Sequence, residues 1–252
     1  VLYRTNAQSL GFETEFLHRK IPYTVIGSLK FYEREEIKDI LAFLAFIANP
    51  KDEVAFRRIV NKPARSIGSV SQEKIVNFVR SQAPLLQSSV GAPGGGPSGG
   101  LIEGCRLCAS FLSKKTTEAV QGFVSIIDSL TAFLDEGQNN TGGRSEDSGD
   151  ENDAGSGADN SAGEKLSTFV EKIIRLSGLN EYYSAQDEIA GTQKTANMQE
   201  LANSAVFYPK TRAGLSDFLD HIELDRTLEA ADENEARDSV NLITLHNTKG
   251  LE

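Results

Sequence analysis

Four short stretches hold the residues whose types and spacing could do chemistry. The first is Arg4-Thr5-Asn6-Ala7-Gln8-Ser9, straight after the apolar run Val1-Leu2-Tyr3. Ligands of α/β folds bind outside the carboxyl ends of strands, so Arg4 and Asn6 are placed to bond phosphates or base edges. The plainer reading is that Thr5, Asn6 or Ser9 caps the next helix. The second is Phe31 to Asp39, where Arg34 and Lys38 stand four apart and share a helical face along which a phosphate backbone could lie. The plainer reading there is a solvated charged face. The third is Lys62-Pro63-Ala64-Arg65-Ser66-Ile67-Gly68, ahead of a helix. A helix start offers unpaired N–H groups and positive potential, which suits a phosphate. Ser66, the apolar plug Ile67 and Gly68 let backbone approach closely, with Lys62 and Arg65 alongside. Helix–hairpin–helix elements hold duplex backbone in this way, and an ordinary helix–helix turn is the bland alternative. The fourth is Thr244-Leu245-His246-Asn247-Thr248-Lys249-Gly250-Leu251-Glu252, a polar loop after an apolar run.

Other chemistries are excluded by what is missing. The chain has no GxxxxGK[ST] loop to cradle ATP, no HExxH and no GxSxG. Its three histidines, His18, His221 and His246, are scattered. Cys105 and Cys108 form a single CxxC without a nearby His, which cannot close a structural zinc site. They read as two helical residues on one face, reactive only if exposed. No self-contained active site and no metal site is expected.

The elements that must position these residues are mostly helical. Helical spacing runs over 7–20, with Leu10, Glu13 and Leu17 on one face. Pro22 stops it, and Tyr23-Thr24-Val25-Ile26 reads as a strand. The clearest helix covers 33–48, where Ile37, Ile40, Leu41, Leu44 and Ile47 follow the 3, 4, 7 rule and Glu33, Glu35 and Glu36 enrich the first turn. A helix over 52–61 follows. Another starts at Ser69, which forms a capping box with Gln72. Further helices are expected at 101–113, 116–135, 165–176, 196–207 and 215–230, and a buried strand at 240–245.

The chain is 252 residues long, with 39% hydrophobic and 25% charged residues and a net charge of −10. That hydrophobic share is low for a packed globule. Two segments explain it: 87–100 and 137–163 hold 13 of the 22 glycines and little apolar surface, and read as flexible insertions. An acidic chain argues against nucleic acid as a partner, but the charge is divided. Residues 1–80 carry 13 Lys and Arg against 9 Asp and Glu, and the remainder 13 against 27. A basic face is a local property, so nucleic acid stays open. No run of 18 apolar residues and no signal peptide is present, and the cysteine usage fits a reducing cytosol. The chain opens without Met and stops directly after a strand-like run, as a piece of a longer protein would.

Taken in order, these stretches resemble the UvrD/PcrA/Rep family of superfamily 1 DNA helicases. VLYRTNAQS is similar to motif IVa, and IPYTVIGSLKFYEREEIKDILAFLAFIANPKDEVAFRRIVNKPARSIG to the stretch that follows it. SGLNEYY, with the spaced Lys194, Asn197, Glu200 and Leu201, resembles a later pattern, and VNLITLHNTKGLE resembles motif V. The resemblance implies a mostly α fold, a helical inserted subdomain flanked by short strand-containing pieces of an α/β RecA-like P-loop NTPase domain. Residues 1–32 and 238–252 would be the RecA-like pieces and 33–237 the inserted 2B subdomain. The whole protein would be an ATP-dependent 3′–5′ DNA helicase serving repair or replication in the bacterial cytoplasm, with ATP and Mg²⁺ held outside this piece. The piece alone would be inactive.

The resemblance also implies roles by position. Arg4 and Asn6 would contact single-stranded DNA. Thr244, His246, Lys249, Gly250 and Glu252 would couple DNA to nucleotide. Lys38, Lys62, Arg65, Ser66, Ile67 and Gly68 would hold duplex backbone without reading sequence. Two departures stand out: Leu10 where the family carries Arg, and Ser66 where its turn reads Gly-Ile-Gly. Two alternatives share parts of the pattern. One is a nuclease-linked helicase of the AddA/RecB kind. The other is a non-enzymatic module docking a repair or replication protein, through the acidic stretch 217–238 with nine acids and two Arg.

Overall fold

The computed structural model describes residues 1–4, 8–19, 21–26, 31–86, 100–139, 164–232 and 239–245. Asn6, His246, Lys249, Gly250 and Glu252, and nearly all of both Gly-rich segments, lie outside the described residues. The order of elements begins β1 (Leu2–Tyr3), α1 (Ser9–His18), β2 (Tyr23–Ile26), α2 (Glu35–Ala48), α3 (Glu53–Ile59) and α4 (Ser69–Leu86). It continues α5 (Leu101–Arg106), α6 (Lys114–Asn139), α7 (Leu166–Leu176), α8 (Leu179–Ala190), α9 (Lys194–Ser204), α10 (Arg212–Asp232) and β3 (Val240–Thr244). The expected mostly helical fold with flanking strands is the one observed.

The strands form one parallel sheet in the order β1-β3-β2. Leu2 lies opposite Ile243, and Tyr23 opposite Val240. A small apolar cluster of Tyr3, Tyr23 and Leu242 packs on it with Phe16, Val25 and Val240. The larger core is helical. In α2, Ile37, Ile40, Leu44 and Ile47 are buried, as their spacing predicts. Phe46, Phe56 and Phe123 meet at centroid distances of 5.7–6.3 Å and join α2, α3 and α6. Each such side chain contributes about 1.5–3 kcal/mol by leaving water. Leu10 of α1 belongs to this helical core and not to the sheet's cluster.

Several boundaries differ from the sequence reading. The helix expected at 101–113 ends at Arg106, and Cys108–Ser110 continues as a 3₁₀ turn. Both cysteines are fully buried, and burial pushes each thiol up from its ordinary pKa, so neither is poised to react. The helix α8 is not anticipated by apolar spacing, because Leu179 and Tyr183 are its only buried residues. Gly178 and Gly191 bound it, both in the left-handed region. The capping box at Ser69 is not what starts α4. The amides of Ser71 and Gln72 donate to the Gly68 carbonyl, and Gln72 Nε2 donates to the Ile67 carbonyl. Among the described residues, no helix is long and apolar enough to cross a membrane.

Candidate nucleic-acid interface

The turn between α3 and α4 is built by two side chains. Asn61 Oδ1 accepts from the amides of Arg65 at 2.8 Å and Ile67 at 3.0 Å. Arg65 collects carbonyls: Nη1 donates to Ile59, Lys62 and Pro63 at 2.8–3.3 Å, and Nη2 to Ser177 at 2.6 Å. Its guanidinium lies over the Phe123 ring, and burial lowers its pKa. The guanidinium expected to hold phosphate is engaged by the fold's own carbonyls.

Between those anchors Ile67 is fully buried as a plug, while Ser66 and Gly68 are exposed. Ser66 has φ +63°, the left-handed region that favours glycine. Ser66 thus meets, at a steric cost, a backbone demand that glycine would meet freely. The amides of Gly68, Ser69 and Val70 have no acceptor among the described residues, and all three residues are exposed. A Cβ at Gly68 would meet nothing within 4 Å, so the space in front of the helix start is open. Three N–H groups at the positive end of an 18-residue helix are the geometry that anion binding uses.

Lys62 is beside this turn but faces another cluster. Its Nζ pairs with Glu35 and, at 2.8 Å, with Asp39, which is 1% exposed. Arg58 reaches Asp39 at 2.7 Å, Tyr183 donates its hydroxyl to the same carboxylate, and Lys194 bonds Glu35 at 3.2 Å. Burial works against the charged Lys62, yet bonds from Asp39 and Glu35 outweigh it and raise its pKa. The Lys62 ammonium, expected beside a phosphate, is paired with two carboxylates. Lys38 is half-buried on α2, with no ion pair among the described residues. It does not share a face with a free Arg34, which is 6% exposed and bonds Ser9 Oγ and Asn197 Oδ1.

The sheet gathers the other predicted residues. Arg4 follows β1 and is exposed, and Thr244 ends β3 and is buried. The Leu245 amide donates to the Tyr3 carbonyl at 3.0 Å, so these two strand ends lie side by side. The topology thus brings the Arg4 stretch and the start of the Thr244 loop together across the length of the chain. Asn61 is the residue that sequence reasoning missed; an Asn four before Arg65 carries no signal until the turn is seen.

Comparison with known proteins bears on these two regions. Residues 1–86 match the UvrD-like helicase C-terminal domain. Two ATP-dependent DNA helicases named PcrA, from Staphylococcus aureus and Staphylococcus epidermidis, are each 29% identical over 261 and 259 aligned residues. The alignments cover all of this chain and 29% of each relative. The chain is similar to these helicases along its whole length. Its UvrD-like portion runs from β1 to the end of α4 and so contains Arg4, Lys62 and the whole Ser66 turn. The likeness to PcrA extends through the later helices to β3. The chain spans less than a third of the PcrA relatives' length.

Proposed function

We propose that this chain is the part of an ATP-dependent 3′–5′ DNA helicase that grips duplex backbone beside the unwinding junction. The observation that carries the reading is the start of α4, with open space and three unpartnered amides at a helix N-terminus. Such a site bonds one phosphate and reads no base. Residues 33–237 act as the helical insertion, and 1–32 and 238–252 as parts of the motor domain. The separate small cluster of Tyr3, Tyr23 and Leu242 supports that division for the strands, while Leu10 packs into the helical core. Arg4 serves single-stranded DNA at the strand ends. Asn6, also for single strand, and His246, Lys249, Gly250 and Glu252, for nucleotide coupling, are carried by resemblance alone. Lys38 supplies a flanking positive charge.

The sequence has no phosphate-cradling loop, so ATP and Mg²⁺ would be held outside this piece. No step is assigned to the nucleotide here. Likeness to PcrA along the whole chain favours this reading over a nuclease-linked helicase.

The test is fluorescence anisotropy of the chain with a duplex bearing a 3′ single-stranded tail, titrated at several salt concentrations. Binding that weakens steeply with salt is expected, as for contacts to phosphate. Gly68→Asp places a carboxylate in the open space without a clash and is expected to weaken binding at least tenfold with the fold intact. Absence of binding at low salt, or full binding by Gly68→Asp, overturns the reading.

A further inference from the structure

We infer that Asn61 and Arg65 are positioning residues for the phosphate grip and that neither touches DNA. The inference rests on the reading above and concerns how the grip is held. A turn of this length has amides and carbonyls that point both ways, and each buried one needs a partner. Asn61 takes the inward amides of Arg65 and Ile67 on one oxygen. Arg65 takes four carbonyls, two from its own turn, Ile59 from the end of α3 and Ser177 from the turn before α8. Gln72 takes the Ile67 carbonyl. With the inward groups satisfied, the amides of Gly68, Ser69 and Val70 are left for the ligand. A planar fork with several donors suits this task, and a lysine ammonium cannot reach four carbonyls in fixed geometry.

The two side chains also hold Ser66 in its left-handed conformation. That conformation costs a non-glycine residue energy and persists where neighbours enforce it. Removing Asn61 frees Ser66 to relax, and the amides beyond it lose their aim. A glycine at 66 takes the left-handed shape unaided, so it substitutes in part for the missing Asn61.

The experiment uses the same chain and the same tailed duplex. Arg65→Met is expected to weaken binding about tenfold with the slope of log affinity against log salt unchanged. Arg65→Lys is expected to lose as much affinity despite keeping its charge. Asn61→Ala is expected to weaken binding similarly, and adding Ser66→Gly to recover at least threefold. Circular dichroism checks that each variant is folded, and Arg65→Lys serves where Arg65→Met is not. A phosphate ligand would behave otherwise: its loss lowers the salt slope by about one, and Lys keeps most of the affinity. Either result for Arg65, or no recovery by Ser66→Gly, overturns the inference while the grip itself stands. If the unaltered chain binds no duplex, the grip and the inference fall together.

Discussion

Arg34 donates to Ser9 Oγ at 2.9 Å and thereby fastens α1 to the helical core. Its other arm donates to Asn197 Oδ1 of α9 at 3.2 Å, and Asn197 Nδ2 in turn donates to Glu36 Oε1. Glu13 and Glu36 supply the compensating charge, against the burial that lowers the Arg34 pKa. Three separate helices thus meet on one buried guanidinium. Removing one member of such a network leaves the others buried and unpaired, at about 3–5 kcal/mol.

Arg34→Met is therefore expected to destabilise the chain by about 3 kcal/mol, measured as a lowered urea midpoint. Arg34→Lys is expected to recover little, because one ammonium cannot span Ser9 and Asn197 as the fork does. Wild-type stability in either variant would remove the network from the account of the fold.

Ser66→Gly should stabilise the chain. The left-handed conformation costs an L-residue about 1–2 kcal/mol, and the extra freedom of Gly in the unfolded chain returns about 0.5–1 kcal/mol. A net gain of roughly 0.5–1 kcal/mol in urea unfolding is expected, with duplex binding unchanged or slightly tighter.

Asp187 starts α9 from a distance. Its carboxylate accepts from the amides of Lys194 at 2.8 Å and Thr195 at 2.9 Å, and from the hydroxyls of Thr192 and Thr195. Partial burial opposes the charge, but the bonds from Thr192, Thr195 and Lys194 prevail and hold the pKa down to about 2. A depressed carboxylate stabilises the fold above its unfolded pKa, near 4, and loses that contribution as pH falls through about 2. Asp187→Ala is expected to cost about 1 kcal/mol at neutral pH, the usual price of a lost helix cap. Urea midpoints of wild type and variant should converge between pH 4 and 2.

The Asp39 cluster gives the opposite sign. Lys62 is raised by Asp39 and Glu35 against its burial, and Tyr183 is raised by burial and by its bond to Asp39. Raised groups stabilise fully below their unfolded values, near 10, and the contribution is lost as pH climbs through the folded ones. Arg58 and Lys194 face the same carboxylates. Stability is expected to fall above pH 10 more steeply in wild type than in Lys62→Met with Tyr183→Phe. Equal slopes would show that the cluster does not titrate with folding.

The strongest periodicities were legible in the sequence. Tyr23–Ile26 forms a strand at the bounds its residues suggest, and α2 buries the stripe of Ile37, Ile40, Leu44 and Ile47. The turn at Ser66 was legible as a place where small residues let backbone approach closely. What could not be read was the direction of its charges. Lys62 and Arg65 are basic residues beside a helix start, and sequence alone does not say that one faces two carboxylates and the other four carbonyls. Those partners, Asp39 of α2 and Ser177 of the turn before α8, lie elsewhere along the chain. For the same reason α8 stayed hidden: its bounds are set by backbone conformation at Gly178 and Gly191, and its apolar face is two residues wide.

The strand order carries a consequence for synthesis. Because β3 lies between β1 and β2, neither early strand has its neighbour until the last strand leaves the ribosome. At about 5–20 residues per second, that delay is roughly 10–40 s after β2 is made. During it the helices from α2 to α10 can assemble around their own core, while β1 and β2 wait without β3 between them. Capture of their edges by a holding chaperone, or by another nascent copy, is the hazard that this connectivity creates.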